Sequence, residues 1–291
     1  MKKYILTFNE IKKNQKNIVG GKAYNLSQLW KKRFSVPKGF VVSTLSFDSF
    51  LKANSFNILH RSLNLNLSLK DNLFVAQDLR EKILNQSLSG SIEKQINHAL
   101  KHLEFDSLAV RSSATIEDGR QHSFAGQFES YLNVKKVDVL ENIIKCFSSL
   151  FSPRVIIYAY RKKISLNKAK MAVVIHQMIN PDIAGNLFTI NFLNKNKKQV
   201  LIETVKGSGD KVTDGTGDSS RLIIDKKNFL LIKKNKERFF VNSNIIFQLC
   251  KISLDIERVF KMPQEIEWAV TDNRIYIIQS RPISFYRQNA Y

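Results

Sequence analysis

Between residues 171 and 234 the chain is a succession of short apolar runs: MAVVIHQMI (171–179), GNLFTINF (185–192), QVLIETV (199–205), RLIID (221–225) and FLLIKK (229–234). Gly, Asn, Asp and Lys separate them, and each is too short for a typical helix. The final stretch, EIEWAVTDNRIYIIQSRP (265–282), adds two alternating strands around an Asp-Asn turn. One helix, at about 244–260, falls among them. This series constrains the second half of the molecule to a sheet with little helix.

The first half is different. VGGKAYNLSQLWKKR (19–33) reads as a glycine turn opening an amphipathic helix, and VPKGFVVS as a short strand. Residues 46–104 carry helical spacing, SLAVRSS (107–113) and QFESYLNV (127–134) flank a polar loop as strands, and DVLENIIKCFSSLF is a helix with Asp138 and Glu141 placed as a capping box. Pro153 suits the first turn of the next helix. The expectation is an α+β fold of two lobes, residues 1–180 and 181–291, with a cleft between them.

In the final hairpin, alternation puts Ile266, Trp268, Val270, Tyr276 and Ile278 on one apolar face. Glu265, Glu267, Gln279 and Arg281 then share the other. A three-residue loop, Asp272 to Arg274, sets Glu267 opposite Gln279 and Glu265 opposite Arg281 while keeping the core face consistent. A solvated face with a cross-strand ion pair accounts for these residues. So does a magnesium and phosphate site, since carboxylate and amide oxygens suit Mg²⁺ and arginine forks onto phosphate.

Two other segments supply what a nucleotide site needs. Gly20 and Gly21 permit a tight turn that places Lys22 at a helix start, where anions are favoured. In LAVRSSATIEDGRQHSFAGQFESYLNV (108–134), a strand delivers Arg111 to a Ser/Thr-rich loop, and Gly126 allows close backbone approach to a phosphate.

Together, VGGKAYNLSQL, VPKGFVV, AVRSSATIEDG, SFAGQFESYLNV and EIEW…IYIIQSRP resemble the nucleotide-binding domain of phosphoenolpyruvate synthases, shared with pyruvate phosphate dikinases and rifampicin phosphotransferases. The resemblance runs in order from Val19 to Pro282 and implies an ATP-grasp fold binding ATP and Mg²⁺. Carried over by motif, Lys22 and Arg111 contact phosphates, and Gly126 and Ser130 lie along the phosphate-covering turn. Gln177 holds adenine at the hinge, with Met178 and Ile179 as an apolar wall. Glu267 and Gln279 ligate magnesium or bind polyphosphate, and Arg281 holds the transferring phosphoryl group. Lys22, Arg111 and Arg281 are the catalytic set. In the resembled enzymes this domain passes the β-phosphoryl of ATP to a histidine on a separate swivelling domain.

No segment resembles that swivelling domain, and none of the histidines at 60, 98, 102, 122 and 176 has a phosphohistidine context. The expected partner is therefore a separate protein carrying the histidine. The family's GLGE-like turn is replaced by KGSGDKVTDGTGD (206–218), in which Asp210 keeps a carboxylate, and the loop after Arg111 lacks the usual proline. His98 and His102 read as a solvated helix face, and His176 as a packed residue turned away from the nucleotide. A stand-alone small-molecule kinase or ligase, a non-catalytic nucleotide sensor and a nucleic-acid-binding protein are the alternatives.

Bulk properties narrow this further. No apolar run approaches the ~20 residues of a membrane span, and a cytoplasmic protein is expected. Cys146 and Cys250 lie in helical stretches and read as buried thiols. The net charge of +21, from 46 Lys and Arg against 25 Asp and Glu, would attract any anion. Its lysine clusters are scattered, at 31–33, 161–163, 195–198 and 233–238, which reads as solvated surface and not as a nucleic-acid face.

Overall fold

The computed structural model describes residues 2–117, 124, 126–207, 220–235 and 241–283. His122, Asp210 and most of the 206–218 turn lie outside them. The chain divides into two compact units, residues 1–27 with 38–178, and 28–37 with 179–291. The expected boundary at residue 180 leaves 28–37 with the first lobe. In the structure this segment joins the second unit, where the Ile277 N–H donates to the Ser35 carbonyl (2.8 Å) and Arg274 Nε to Ser35 Oγ (3.0 Å).

The first unit is built on a five-stranded sheet in the order β1-β2-β5-β3-β4. Its strands are β1 (Ile5–Thr7), β2 (Gly39–Val42), β3 (Ser107–Ala114), β4 (Ser130–Lys135) and β5 (Met171–Gln177), all paired antiparallel. Six helices contribute to its core: α2 (Thr44–Ala53), α3 (Asn57–Ser62), α4 (Leu69–Leu84), α5 (Gly90–Lys101), α6 (Val139–Ser149) and α7 (Pro153–Arg161). Leu108, Val110, Ala114, Val173 and Ile175 meet Phe47, Leu79, Phe147 and Phe151 in one apolar cluster. Burying each such side chain contributes roughly 1.5–3 kcal/mol. Pro153 opens α7 as expected, because its missing N–H would have no helical partner there. Asp138 makes no side-chain cap; it ends a short 3-10 turn, Lys136–Asp138, that runs into α6, and its carbonyl accepts from Asn142 Nδ2 (2.8 Å). The chain's geometry entering α6 is thus already helical, which leaves no extended residue to act as cap.

The second unit holds a six-stranded antiparallel sheet in the order β11-β10-β6-β7-β8-β9. These are β6 (Ile183–Phe188), β7 (Gln199–Lys206), β8 (Ser220–Asp225), β9 (Leu231–Lys234), β10 (Gln264–Thr271) and β11 (Arg274–Pro282). The last helix, α8 (Ser243–Phe260), is capped by Asn242, whose Oδ1 accepts from the Ile245 N–H at 2.9 Å, and it lies against β10 and β6. Trp268 is 1% exposed, and its indole fills the space above Gly185, where a Cβ would lie 2.9 Å from Cζ2.

Both thiols are free and buried, and burial pushes them up, Cys250 to about 12. No helix among the described residues is long and apolar enough to cross a membrane.

Candidate functional site

The helix α1 (Lys16–Lys31) carries the first group of candidate residues, and it is broken at Gly20, whose φ of 75° and ψ of 174° are not helical. The break is forced by contact: a Cβ at Gly20 would lie 1.9 Å from the Ser113 carbonyl oxygen on β3. A new helical start therefore follows, and Ser113 caps it from the sheet. Its Oγ donates to the Val19 carbonyl (2.8 Å) and accepts from the Ala23 N–H (3.1 Å). Lys22 sits in that first turn. Its ammonium donates to the Ser112 carbonyl (3.1 Å) and forms an ion pair with Glu117. Glu117, part of the quoted AVRSSATIEDG motif, was not among the expected site residues.

Arg111 leaves β3 from the face opposite the helix-packed core, on the side where Ser113 meets α1. Its partner across the ladder is Ser130 of β4, so these two expected residues are neighbours. Gly126 has φ 70° and open space where a side chain would stand. Gln177 does not share that face. It pairs with Leu108 on the core side, and His176, paired with Ala109, occupies the face of Arg111. His176 is buried as expected, and it stands on the face of Arg111 because strand alternation puts 174 and 176 together with 111. Burial, and then the Arg111 charge, push the His176 imidazole down to about 4. Backbone hydrogen bonds at the end of β5 are already used: the Gln177 N–H donates to Lys38 (2.8 Å) and the Met178 N–H to Ser107 (3.1 Å).

The second unit presents its candidates as a row. Gln279, Glu267, Asn186, Glu203 and Arg221 are successive cross-strand partners over β11, β10, β6, β7 and β8. Directly opposed residues share a face, so one line of polar side chains crosses five strands, oxygen-bearing on the first four and a guanidinium on the fifth. The row runs beside an apolar patch of Ile179, Ala184, Val205 and Ala269, with Tyr276 and Ile278 against it. Sequence alternation supplies Glu267 and Gln279; Asn186 and Glu203 come to the row only through the pairing of β6 and β7.

The route to that pairing differs from the expected one. The turn has two residues, Asp272 and Asn273, with φ of 50° and 57°. Both are left-handed, as a type I′ turn requires, and Asp and Asn tolerate this best. A two-residue turn pairs Trp268 with Ile277, so Ile277 is the core residue (1% exposed) and Tyr276 and Ile278 are not. A β-bulge at Ile278 then shifts the register by one and restores Glu267 opposite Gln279 and Glu265 opposite Arg281.

Both arginines on this face already hold carboxylates. Arg281 forks onto Glu265, Nε to Oε2 at 2.9 Å and Nη2 to Oε1 at 2.6 Å. Arg221 meets Glu203 Oε1 at 2.9 and 2.7 Å through Nε and Nη2. Gln279 is 6% exposed, yet its Oε1 has no hydrogen-bond partner. A buried acceptor left unpaired costs about 1–3 kcal/mol. Opposite a carboxylate, it forms an oxygen pair of the kind that fits a hard divalent cation completed by phosphate oxygens and water. No group of three or more His, Cys, Asp or Glu suited to a metal occurs among the described residues. His98 and His102 stand exposed on one side of α5, their Nε2 atoms 3.3 Å apart.

The family profile for the pyruvate phosphate dikinase AMP/ATP-binding domain matches residues 16–239 and 231–290. The chain belongs to that family. A pyruvate phosphate dikinase-type AMP/ATP-binding domain is expected to be α+β and ATP-grasp in type, and the two helix-backed antiparallel sheets have that composition. Among curated relatives, rifampicin phosphotransferase of Bacillus cereus is 33% identical over 98% of this chain and 36% of its own length. The Bacillus subtilis enzyme of the same name is 32% identical over 98% and 36%. A probable phosphoenolpyruvate synthase of Archaeoglobus fulgidus is 33% identical over 98% and 42%. The domain thus spans well under half the length of these relatives. A solved D-alanine–D-alanine ligase from Bacillus anthracis aligns over 90% of this chain and 56% of its own, at 11% identity and a TM-score of 0.38.

Proposed function

We propose that the chain is an ATP- and Mg²⁺-dependent phosphotransferase module of phosphoenolpyruvate synthase type, passing a phosphoryl group from ATP to a histidine on a separate protein. The observation that carries this reading is the Glu267–Gln279 pair, a carboxylate opposite a buried amide oxygen with no protein partner. Such a pair supplies few protein ligands, as Mg²⁺ sites that rely on substrate phosphates do.

In this reading Lys22 and Arg111 bind phosphate oxygens, and Ser130 and the open backbone at Gly126 border them. Glu267 and Gln279 hold magnesium, which when bound neutralises charge on the phosphates. Arg281, its guanidinium plane fixed by Glu265, holds the transferring phosphoryl. Gln177 holds the adenine with Met178 and Ile179 as an apolar wall, and the patch of Ala184, Val205, Ala269 and Tyr276 is a further dry surface. Phosphoryl transfer depends on positioning and charge neutralisation, and an acceptor imidazole is itself the nucleophile, so the chain needs no general base.

The test is incubation with γ- and β-labelled ATP, Mg²⁺ and a protein bearing a phosphohistidine domain, encoded beside this chain. Label on that protein together with AMP supports the reading. Formation of ADP without any partner would establish the stand-alone kinase instead, and no turnover with tight ATP binding would establish a sensor.

A further inference from the structure

Lys22 reaches its position inside a nearly solvent-free contact. Its side chain is 12% exposed and that of Glu117 5%. The ammonium is held by Glu117 and by the Ser112 carbonyl. An ammonium has three N–H donors, so these two acceptors leave one for a ligand. A carboxylate of opposite sign lies against the lysine before any phosphate arrives.

Two behaviours are then open to Lys22 when an anion binds. It could leave Glu117, which strands a buried carboxylate without its counter-charge and is strongly unfavourable. Or it could keep both tethers and offer the third N–H. The surroundings favour the second. Gly20 is pressed on Ser113, and Ser113 Oγ ties Val19 and Ala23 on either side of the break. The root of Lys22 is fixed to β3, the strand whose Ser112 carbonyl also holds its tip. Glu117 is fixed in turn, since its N–H donates to the Ala114 carbonyl (3.3 Å) at the end of that strand.

We propose that Glu117 is a positioning residue for the nucleotide phosphates: it remains paired with Lys22, aims the free ammonium N–H, and tempers the lysine's charge so that a spent anion can leave. This rests on Lys22 binding phosphate, as proposed above, and adds a residue of opposite charge to that site.

The charge and the reach of Glu117 can be varied separately. Glu117→Gln keeps an oxygen at the same distance and removes the charge, so ATP should bind about tenfold tighter, as a nearby unit charge is lost. Glu117→Asp keeps the charge and withdraws the tether by one methylene, so ATP should bind several-fold weaker. In a Lys22→Met background the loss in Glu117→Asp should disappear and the gain in Glu117→Gln should shrink to the direct effect of the removed charge. Isothermal titration of Mg-ATP into wild type, both single variants and both doubles reads all of this. A merely structural Glu117 would lower the melting temperature of the variants without a tightening in Glu117→Gln or a dependence on Lys22. Wild-type affinity in both single variants, or the same shifts in the Lys22→Met background, would overturn the proposal while leaving the assignment of Lys22 standing. Should Glu117→Gln not fold, Glu117→Asp decides alone. Absence of ATP binding by the wild type would overturn both readings.

Discussion

The two units build their candidate residues by opposite means. In the first, charges are drawn inward and tied: Lys22 to Glu117 and Ser112, the start of its helix to Ser113, with a glycine where backbone meets backbone. In the second, register alone lines up Gln279, Glu267, Asn186, Glu203 and Arg221 across a sheet, and no single contact defines the row. A site of the first kind fails when one close approach is disturbed. A site of the second kind tolerates local change but depends on every strand keeping its phase.

That contrast orders the expected effects. The largest falls on chemistry. Glu267→Ala and Arg281→Ala should each lower phosphoryl transfer by ~1000-fold or more, the scale at which charge stabilisation by arginine acts, with the melting temperature nearly unchanged because both lie off the core face. Loss of folding in either would return the row to a purely structural role. Next in size, Trp268→Ala should cost ~3–5 kcal/mol in chemical denaturation, since the buried indole spans the core face of the same sheet. An unfolding curve like the wild type's would show that the second unit does not depend on its register core. Gly20→Ala should cost at least ~1–3 kcal/mol from a left-handed backbone and its clash with Ser113, and it should weaken ATP binding at the same time. Weakened stability with intact binding would separate Lys22 from the glycine contact.

The smallest effect is a pH dependence confined to the first unit. The His176 imidazole is held down to about 4 by burial and by Arg111, against ~6.5 in an unfolded chain. Between those values the unfolded chain takes up a proton that the folded one does not, so stability falls as pH falls, by at most ~1.4 kcal/mol per pH unit. Denaturation of wild type and His176→Gln at pH 7, 6 and 5 should show that part of the decline missing in the variant. Equal slopes would mean that His176 titrates normally.

Much of this was legible in the sequence, for identifiable reasons. Short apolar runs and the hairpin alternation gave the second sheet, and Gly20-Gly21 before an amphipathic helix gave the broken α1. Gln279 opposite Glu267 was also readable, although by a different turn, since a bulge at Ile278 cannot be told from a longer loop when either restores the same pairing. Asn186 and Glu203 were not, because which strands adjoin is a property of the whole sheet and not of a motif. Glu117 escaped for the same reason: its partner is 95 positions away, reached only when α1 lies on β3. The exchange of faces between His176 and Gln177 depended on the phase of β5 against β3, which one strand's alternation does not fix.

The central claim is that Lys22 and Gln279 each contribute to the binding of ATP with magnesium. Titration calorimetry of ATP into wild type, Lys22→Ala and Gln279→Ala, each with and without MgCl₂, tests it directly. The account predicts a Mg²⁺-dependent binding heat in the wild type that either substitution weakens by tenfold or more. Binding by either variant indistinguishable from the wild type, or no heat from the well-folded wild type, would contradict it.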